Sequence, residues 1–128
     1  MADTEKITIN LSVVDLGRID LLVEQGFYST RTDFIRTAIR NQLSVHGNMI
    51  DEVVTRRALV VGVMGYAPED LNRHRRNNEQ VDIRVVGMLV IEKDVTPELA
   101  KATIRSIKVL GVFRASDEVK EALADRIL

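Results

Sequence analysis

The sequence predicts an α+β protein in two parts: an amino-terminal β-α-α unit that folds as an intertwined dimer, and a small carboxy-terminal domain of three β-α repeats. Three observations predict this division. Residues 6–11 alternate between polar and apolar, two capped amphipathic helices follow, and three apolar segments are each centred on a glycine. The predicted boundaries are 1–46 for the first domain, 47–56 for a linker and 57–128 for the repeats.

Composition limits the function classes. With 128 residues, 45% hydrophobic and 29% charged, the chain has the composition of a globular protein of one ordinary domain or two very small ones. Cysteine is absent, which excludes disulfides and thiolate metal sites and favours a reducing cytoplasm. The acidic start, MADTEK, leads into no long apolar run, so we expect a cytoplasmic protein without a membrane partner. The net charge of −1 argues against a broadly basic surface, so any DNA contact must come from a local pattern.

The segment 6–11 has the period of two that is typical of a half-buried strand. Its two faces are Ile7, Ile9 and Leu11, which would face a core, and Lys6, Thr8 and Asn10, which would face outwards. No second strand is predicted before Leu59. A single strand has two unpaired edges, so this strand needs a second strand, supplied by another chain, to pair with.

Two helices with recognisable ends follow the strand. Ser12 and Thr30 each stand three residues before an Asp, an arrangement similar to a capping box. The first helix is predicted over 13–25 with Gly26 as its stop, and the second is predicted to end near Val45 and Gly47. One strand and two helices cannot enclose a core, but two copies can pair their strands antiparallel and interlock four helices.

The strand, the turn and the opening of the second helix, above all GFYSTRTDFIRTAIR at residues 26–40, resemble the ribbon-helix-helix DNA-binding proteins of the Arc, MetJ and CopG type. The resemblance covers residues 5–46. It implies that the paired strands enter the major groove of double-stranded DNA, where the outward side chains Lys6, Thr8 and Asn10 read base edges. It also implies that the start of the second helix holds a DNA phosphate, at a place matched by Ser29, Thr30 and Arg31.

The three strand residues have chemistry suited to base reading. Lys can donate to guanine, Asn can pair with adenine through two hydrogen bonds, and Thr can donate, accept or contact the thymine methyl group. The alternative is that Lys6, Thr8 and Asn10 form only the solvated face of a dimer ribbon. Arg36 and Arg40 lie four residues apart on the polar face of the second helix, where a solvated or dimer-pairing role is favoured over a DNA contact.

The carboxy-terminal segments align on Gly62, Gly87 and Gly111, at spacings of 25 and 24 residues. Each precedes a helix-starting segment, and the three starts are Pro68-Glu69-Asp70-Leu71, Thr96-Pro97-Glu98-Leu99 and Ser116-Asp117-Glu118-Val119. This pattern predicts stacked β-α coils, a short solenoid whose parallel strands are covered on both faces. Open ends of such a stack predict higher oligomers. The alternatives are an ordinary α+β domain whose strands are similar by chance, and a ligand-sensing domain.

The basic run and the two histidines give little indication of a further function. The only basic run is Arg73-His74-Arg75-Arg76, for which a solvated turn is favoured; the alternative is that Arg73, Arg75 and Arg76 contact DNA phosphates or a neighbouring subunit. His46 and His74 lie in unrelated contexts, and the sequence has no glycine-rich phosphate loop or nucleophile elbow. We therefore expect no enzyme activity, no cofactor and no metal.

The leading hypothesis is a homo-oligomeric transcriptional repressor, an obligate dimer that reads an operator with its ribbon and assembles neighbouring dimers through its repeats. A structural scaffold that organises or partitions DNA is the alternative. An antitoxin is disfavoured because its tail would be short and flexible. A third hypothesis, favoured by the near-neutral charge, is that the repeats polymerise and the amino-terminal dimer serves assembly.

Overall fold

A computed structural model describes residues 4–128. The chain divides into two compact units, one formed by residues 6–53 and the other by residues 54–128 together with Thr4 and Glu5. The described part of the chain is α+β, with six α-helices, one short 3-10 helix and a three-stranded sheet.

The first unit contains α1 (Val13–Glu24), α2 (Arg31–Val45) and the start of α3 (Gly47–Arg56). Side-chain caps open the first two helices. The Ser12 hydroxyl accepts a hydrogen bond from the Asp15 amide at 3.1 Å, and the Thr30 hydroxyl accepts one from the Asp33 amide at 3.0 Å. Both predicted helix starts are therefore confirmed.

The residues expected to be a linker, 47–56, are helical. Gly47 was expected near a helix stop, but it lacks the positive φ of a left-handed stop and is the first residue of α3. The Ile50 amide donates to the His46 carbonyl at 3.0 Å, so α3 begins directly after α2 ends. Ile50, Val53 and Val54 are spaced for one side of a helix, and no proline interrupts them, which explains why the segment is helical.

The predicted strand at 6–11 is not formed within one chain. These residues carry no strand assignment, and their side chains are exposed, Ile7 by 74%. A strand exists only through hydrogen bonds to a neighbouring strand, and the first unit offers no other strand. The ribbon therefore stays a prediction that requires a second chain.

The second unit alternates strands and helices. They are β1 (Val60–Tyr66), α4 (Pro68–Arg76), β2 (Val81–Ile91), α5 (Pro97–Thr103), β3 (Ile104–Arg114), α6 (Asp117–Ala122) and a closing 3-10 turn (Ala124–Arg126). The order in the sheet is β1-β2-β3 and both pairs are parallel, as predicted. At the outer edge of β3, the Leu128 amide donates to the Ile107 carbonyl at 2.8 Å.

The three helices cover one face of the sheet. Odd-numbered side chains of β2 and inward side chains of the helices form one buried cluster, whose members include Ile83, Val85, Leu89, Ile91, Leu71, Leu99, Val119 and Leu123. Because right-handed crossovers place successive helices on the same side of a parallel sheet, the three helices of the second unit all lie on this one face. The prediction that the strands are covered on both faces is therefore met on one face by the helices of this unit, and for the other face it stays a prediction.

The glycines lie opposite one another across the sheet, Gly62 beside Gly87 and Gly87 beside Gly111. All three have a positive φ, of 141°, 140° and 127°. A Cβ atom on Gly87 would overlap the carbonyl oxygen of Gly62, and one on Gly111 would overlap the carbonyl oxygen of Gly87. Glycine is required at the second and third positions both for the backbone angle and for the space.

An ion pair joins β2 to β3 and makes stability depend on pH. Asp82 accepts hydrogen bonds from the Arg105 guanidinium and, at 2.6 Å, from the Ser106 hydroxyl. These contacts, that of Arg105 first, hold the pKa of the Asp82 carboxyl well below its usual value. A lowered pKa in the folded state stabilises the fold above the unfolded pKa of about 4, and this stabilisation is lost as the pH falls towards the folded value.

We expect Asp82→Asn to lower the urea midpoint at neutral pH because it removes the charge that Arg105 pairs with. The difference from the unchanged protein should shrink as the pH is lowered below about 4. Urea unfolding followed by circular dichroism at a series of pH values measures it. A difference that is constant over the whole acidic range would contradict the assigned role of the ion pair.

Candidate nucleic-acid interface

The outward side chains of the segment 6–11 are accessible. Lys6, Thr8 and Asn10 are all exposed, and each is two residues from the next, so an extended backbone places them on one face. They lie within the first unit, as does the start of α2. This unit thus holds both parts of the interface that the sequence predicts.

The first unit buries few apolar side chains within a single chain. Within residues 6–53 only Ile19, at 6% exposure, is a buried hydrophobic residue. Apolar side chains that should be inside a folded unit are exposed in the single chain, among them Val14, Leu21, Ile39 and Leu43. A unit with this much exposed apolar surface has the character of one that packs against another chain.

The turn before α2 is held in place by local contacts. Gly26 has a φ of +84°, which ends α1, and the ring of Tyr28 packs edge-on against Phe34 with the centroids 5.0 Å apart. The Asp33 carboxylate accepts from the Ser29 amide at 3.0 Å and from the Ser29 hydroxyl at 3.2 Å. Ser29 and Thr30 are therefore parts of the cap of α2.

The start of α2 presents backbone N–H groups. The first helical hydrogen bond runs from the Phe34 amide to the Thr30 carbonyl at 3.1 Å, and the Asp33 amide is bound by the Thr30 hydroxyl. The amides of Arg31 and Thr32 precede these bonds and have no acceptor inside the helix. They point along the positive end of the helix dipole, where an anion is favoured.

The guanidinium of Arg31 already has a carboxylate partner in α1. Its Nε atom donates to Asp20 Oδ1 at 2.7 Å and a terminal nitrogen donates to Oδ2 at 2.8 Å. These hydrogen bonds lower the pKa of Asp20 and raise that of Arg31. A phosphate that contacts the Arg31 side chain must therefore share it with Asp20. Sequence reasoning missed this partner because the two residues are brought together only by the packing of α1 against α2.

The basic run lies in the last turn of α4. Arg73 donates to Asp70 at 2.9 Å, and His74 Nδ1 lies 3.1 Å from Glu79 Oε2. Arg75 and Arg76 are exposed. Cations at the carboxyl end of a helix interact favourably with its dipole, so this position accounts for the run without a DNA contact.

The described residues offer no metal centre and no membrane span. Within 4–128, no three His, Cys, Asp or Glu side chains come together in a way that could hold a metal ion. No helix in this part of the chain is both long and apolar enough to cross a bilayer. His46 instead lies beside Gln42, with their Nε2 atoms 3.2 Å apart.

No curated protein and no solved structure matches the chain. Residues 2–120 match the ribbon-helix-helix transcriptional regulator family, which implies DNA binding and dimerisation. Since the match covers nearly the whole chain, including the sheet, the protein belongs to the ribbon-helix-helix transcriptional regulator family.

Proposed function

We propose that this protein is a transcriptional repressor that binds its operator as a homodimer, with the segments 6–11 of two chains paired in the major groove. The observation that carries the proposal is the polar, exposed face of this segment in a chain that belongs to a DNA-binding family. Its apolar face is equally exposed in the single chain and would be buried against α1 and α2 of the dimer.

In this proposal Lys6, Thr8 and Asn10 read the bases. Two copies contribute six side chains, and each well-formed base contact supplies about 1–3 kcal/mol of discrimination. That is enough for sequence specificity in a protein whose net charge is only −1, because discrimination then depends on a few contacts and not on a large basic surface.

The phosphate contact is proposed for the start of α2. The amides of Arg31 and Thr32 are the donors best placed for it, while Ser29 and Thr30 hold the turn that orients them. Arg31 adds its side chain when the pair with Asp20 opens. For Arg73, Arg75 and Arg76 we infer a solvated helix end, and a contact with DNA or with a subunit is the alternative.

The pair between Arg31 and Asp20 makes the phosphate proposal testable. Asp20→Asn keeps the shape of the side chain and releases the guanidinium in both copies of the dimer, so we expect severalfold tighter DNA binding and a salt dependence steeper by about two units. Asp15→Asn is the matched control, because it removes the same charge from α1 beside Arg18. If the two substitutions changed the salt dependence equally, the side chain of Arg31 would not contact DNA phosphate.

The proposed function is tested by the binding of the purified protein to DNA from upstream of its own gene, titrated against random competitor at several salt concentrations. We expect the upstream DNA to be preferred by about a thousandfold or more. Reporter expression in cells with and without the protein then measures repression. Equal affinity for upstream and random DNA would refute the repressor.

A second candidate function is a scaffold that organises DNA. It is favoured by an apolar sheet face in the second unit, which gives the chain a surface for assembling many copies. A scaffold would coat random DNA cooperatively, and its affinity would show little sequence preference. Both functions place the protein with DNA in the cytoplasm, in keeping with a sequence that has no cysteine.

A further inference from the structure

One face of the three-stranded sheet is apolar, and no helix of the second unit packs on it. The side chains that alternate away from the helices are Val61 and Val63 of β1, Val86, Met88 and Val90 of β2, and Leu110 and Val112 of β3. We call these seven residues the open sheet face. None of them belongs to the cluster that the helices cover. Val61, Val63 and Leu110 are exposed by 65%, 53% and 43%, whereas Met88 at the centre of the face is only 5% exposed.

An apolar face without a layer of helices over it is unusual for a parallel sheet. Parallel sheets in folded proteins are covered on both faces, whereas a solvated sheet face carries polar side chains. On the open sheet face, charges stand only at the two ends. Arg84 and Lys108 are neighbours across β2 and β3 at one end, and Arg114, paired with Glu5 at 3.0 Å, stands at the other. An apolar centre between polar ends is the pattern of a protein interface.

We propose that the open sheet face packs against the same face of a second copy of this chain, so that two sheets form one sandwich. The proposal names the surface for the oligomerisation suggested above and rests on it. Sheets packed face to face lie about 10 Å apart, a distance that Val and Leu side chains from both sides fill.

Family membership supplies the second copy. The family implies a dimer through the amino-terminal unit, so each open sheet face is covalently connected to a unit that is already bound to another chain. Tethering of this kind raises the effective concentration of the second face to about the millimolar range. A weak contact between sheets is then sufficient for pairing.

The size of the face favours a tethered copy over an independent protein. Three strands about 4.8 Å apart, with about five residues each, give a footprint of roughly 250 Å². A stable interface between free proteins buries about 800 Å² on each partner. A partner that is not already held nearby would gain too little from this face alone.

Charge favours one orientation of the two sheets. If the strands of the two copies run in opposite directions, the Arg84 and Lys108 end of one face lies over the end of the other where Glu5 neutralises Arg114. If they run in the same direction, four positive charges meet at one end. Like charges brought together in an interface are costly, so the opposed arrangement is expected.

The experiment uses the absence of cysteine from the sequence. Val61→Cys and Leu110→Cys each place a single thiol on the open sheet face of the full-length protein. Val60→Cys is the matched control, because Val60 is on the same strand, is 50% exposed and points to the opposite face. We expect maleimide to react about tenfold more slowly at positions 61 and 110 than at position 60, and equally fast at all three after unfolding in urea.

A second substitution shows what covers the face. Val63→Glu, made in the Leu110→Cys protein, puts a charge into the proposed sandwich at a site that is exposed in the single chain. We expect it to restore fast labelling at position 110 while circular dichroism stays unchanged. Light scattering should show that protection occurs only in particles that contain two or more copies of the chain.

The proposal is overturned if positions 61 and 110 react as fast as position 60, or if they are protected in a particle with the mass of one chain. An oligomer with fast labelling would refute this surface and leave oligomerisation standing. Slow labelling together with equal affinity for upstream and random DNA would refute the repressor and leave the sandwich standing.

Discussion

Gly87→Ala is expected to destabilise the second unit by about 4 kcal/mol, because one methyl group meets two separate costs. The φ of 140° at Gly87 is a conformation that other residues rarely adopt, which costs about 1–3 kcal/mol. The new Cβ atom would also overlap the carbonyl oxygen of Gly62, so β1 and β2 would have to separate locally. Urea unfolding of the full chain, followed by circular dichroism, measures the change.

Gly62→Ala is the matched control for that experiment. Gly62 has nearly the same φ, 141°, but no atom lies within 4 Å of the position that its Cβ would take. It should cost only the backbone strain, about 1–3 kcal/mol. Equal losses at the two positions would mean that the close approach of the strands contributes nothing to the requirement for glycine.

Replacing Lys6, Thr8 and Asn10 together by Ala is expected to lower the affinity for the operator by at least about a hundredfold, since each residue supplies a base contact in the proposed complex. The dimer should persist, because the apolar residues Ile7 and Ile9 are retained. Operator binding is measured by fluorescence anisotropy with random competitor, and dimer mass by light scattering.

The control for the triple substitution is Arg36→Ala with Arg40→Ala, which removes charge from an exposed face of α2. It should leave the preference for the operator over random DNA unchanged. An unchanged preference in the triple variant, with the dimer intact, would show that these side chains are only the solvated face of the ribbon.

The spacing of glycines and helix starts was sufficient to predict the parallel sheet. The segments around Gly62, Gly87 and Gly111 recur together with a Pro, Thr or Ser at the following helix start, and both signals are local. Ser12 and Thr30 were predictable as caps for the same reason, since a cap bonds only to residues three positions away.

Features that depend on distant residues were not predictable. The residue before α3 is His46 and not one of the usual cap residues Ser, Thr, Asp or Asn, and α3 follows Val45 after this one residue, so the local signals resembled a helix end. Asp20 and Arg31 are paired because of the way α1 lies against α2. The apolar strands indicated burial on both faces, but a pattern of side chains does not say whether the covering layer belongs to the same chain.

The register of the three glycines has a consequence for how this sheet can change in length. The residues from 88 to 111 hold the end of one strand, a helix and most of the next strand, and they finish on a glycine. A tandem copy of this segment would add one strand. Its glycine would lie beside the glycine carbonyl of the preceding strand, and the register of the hydrogen bonds between the strands would be unchanged. The number of strands is therefore a modular property, open to growth or shortening by duplication or loss of whole segments without redesign of the contacts between them.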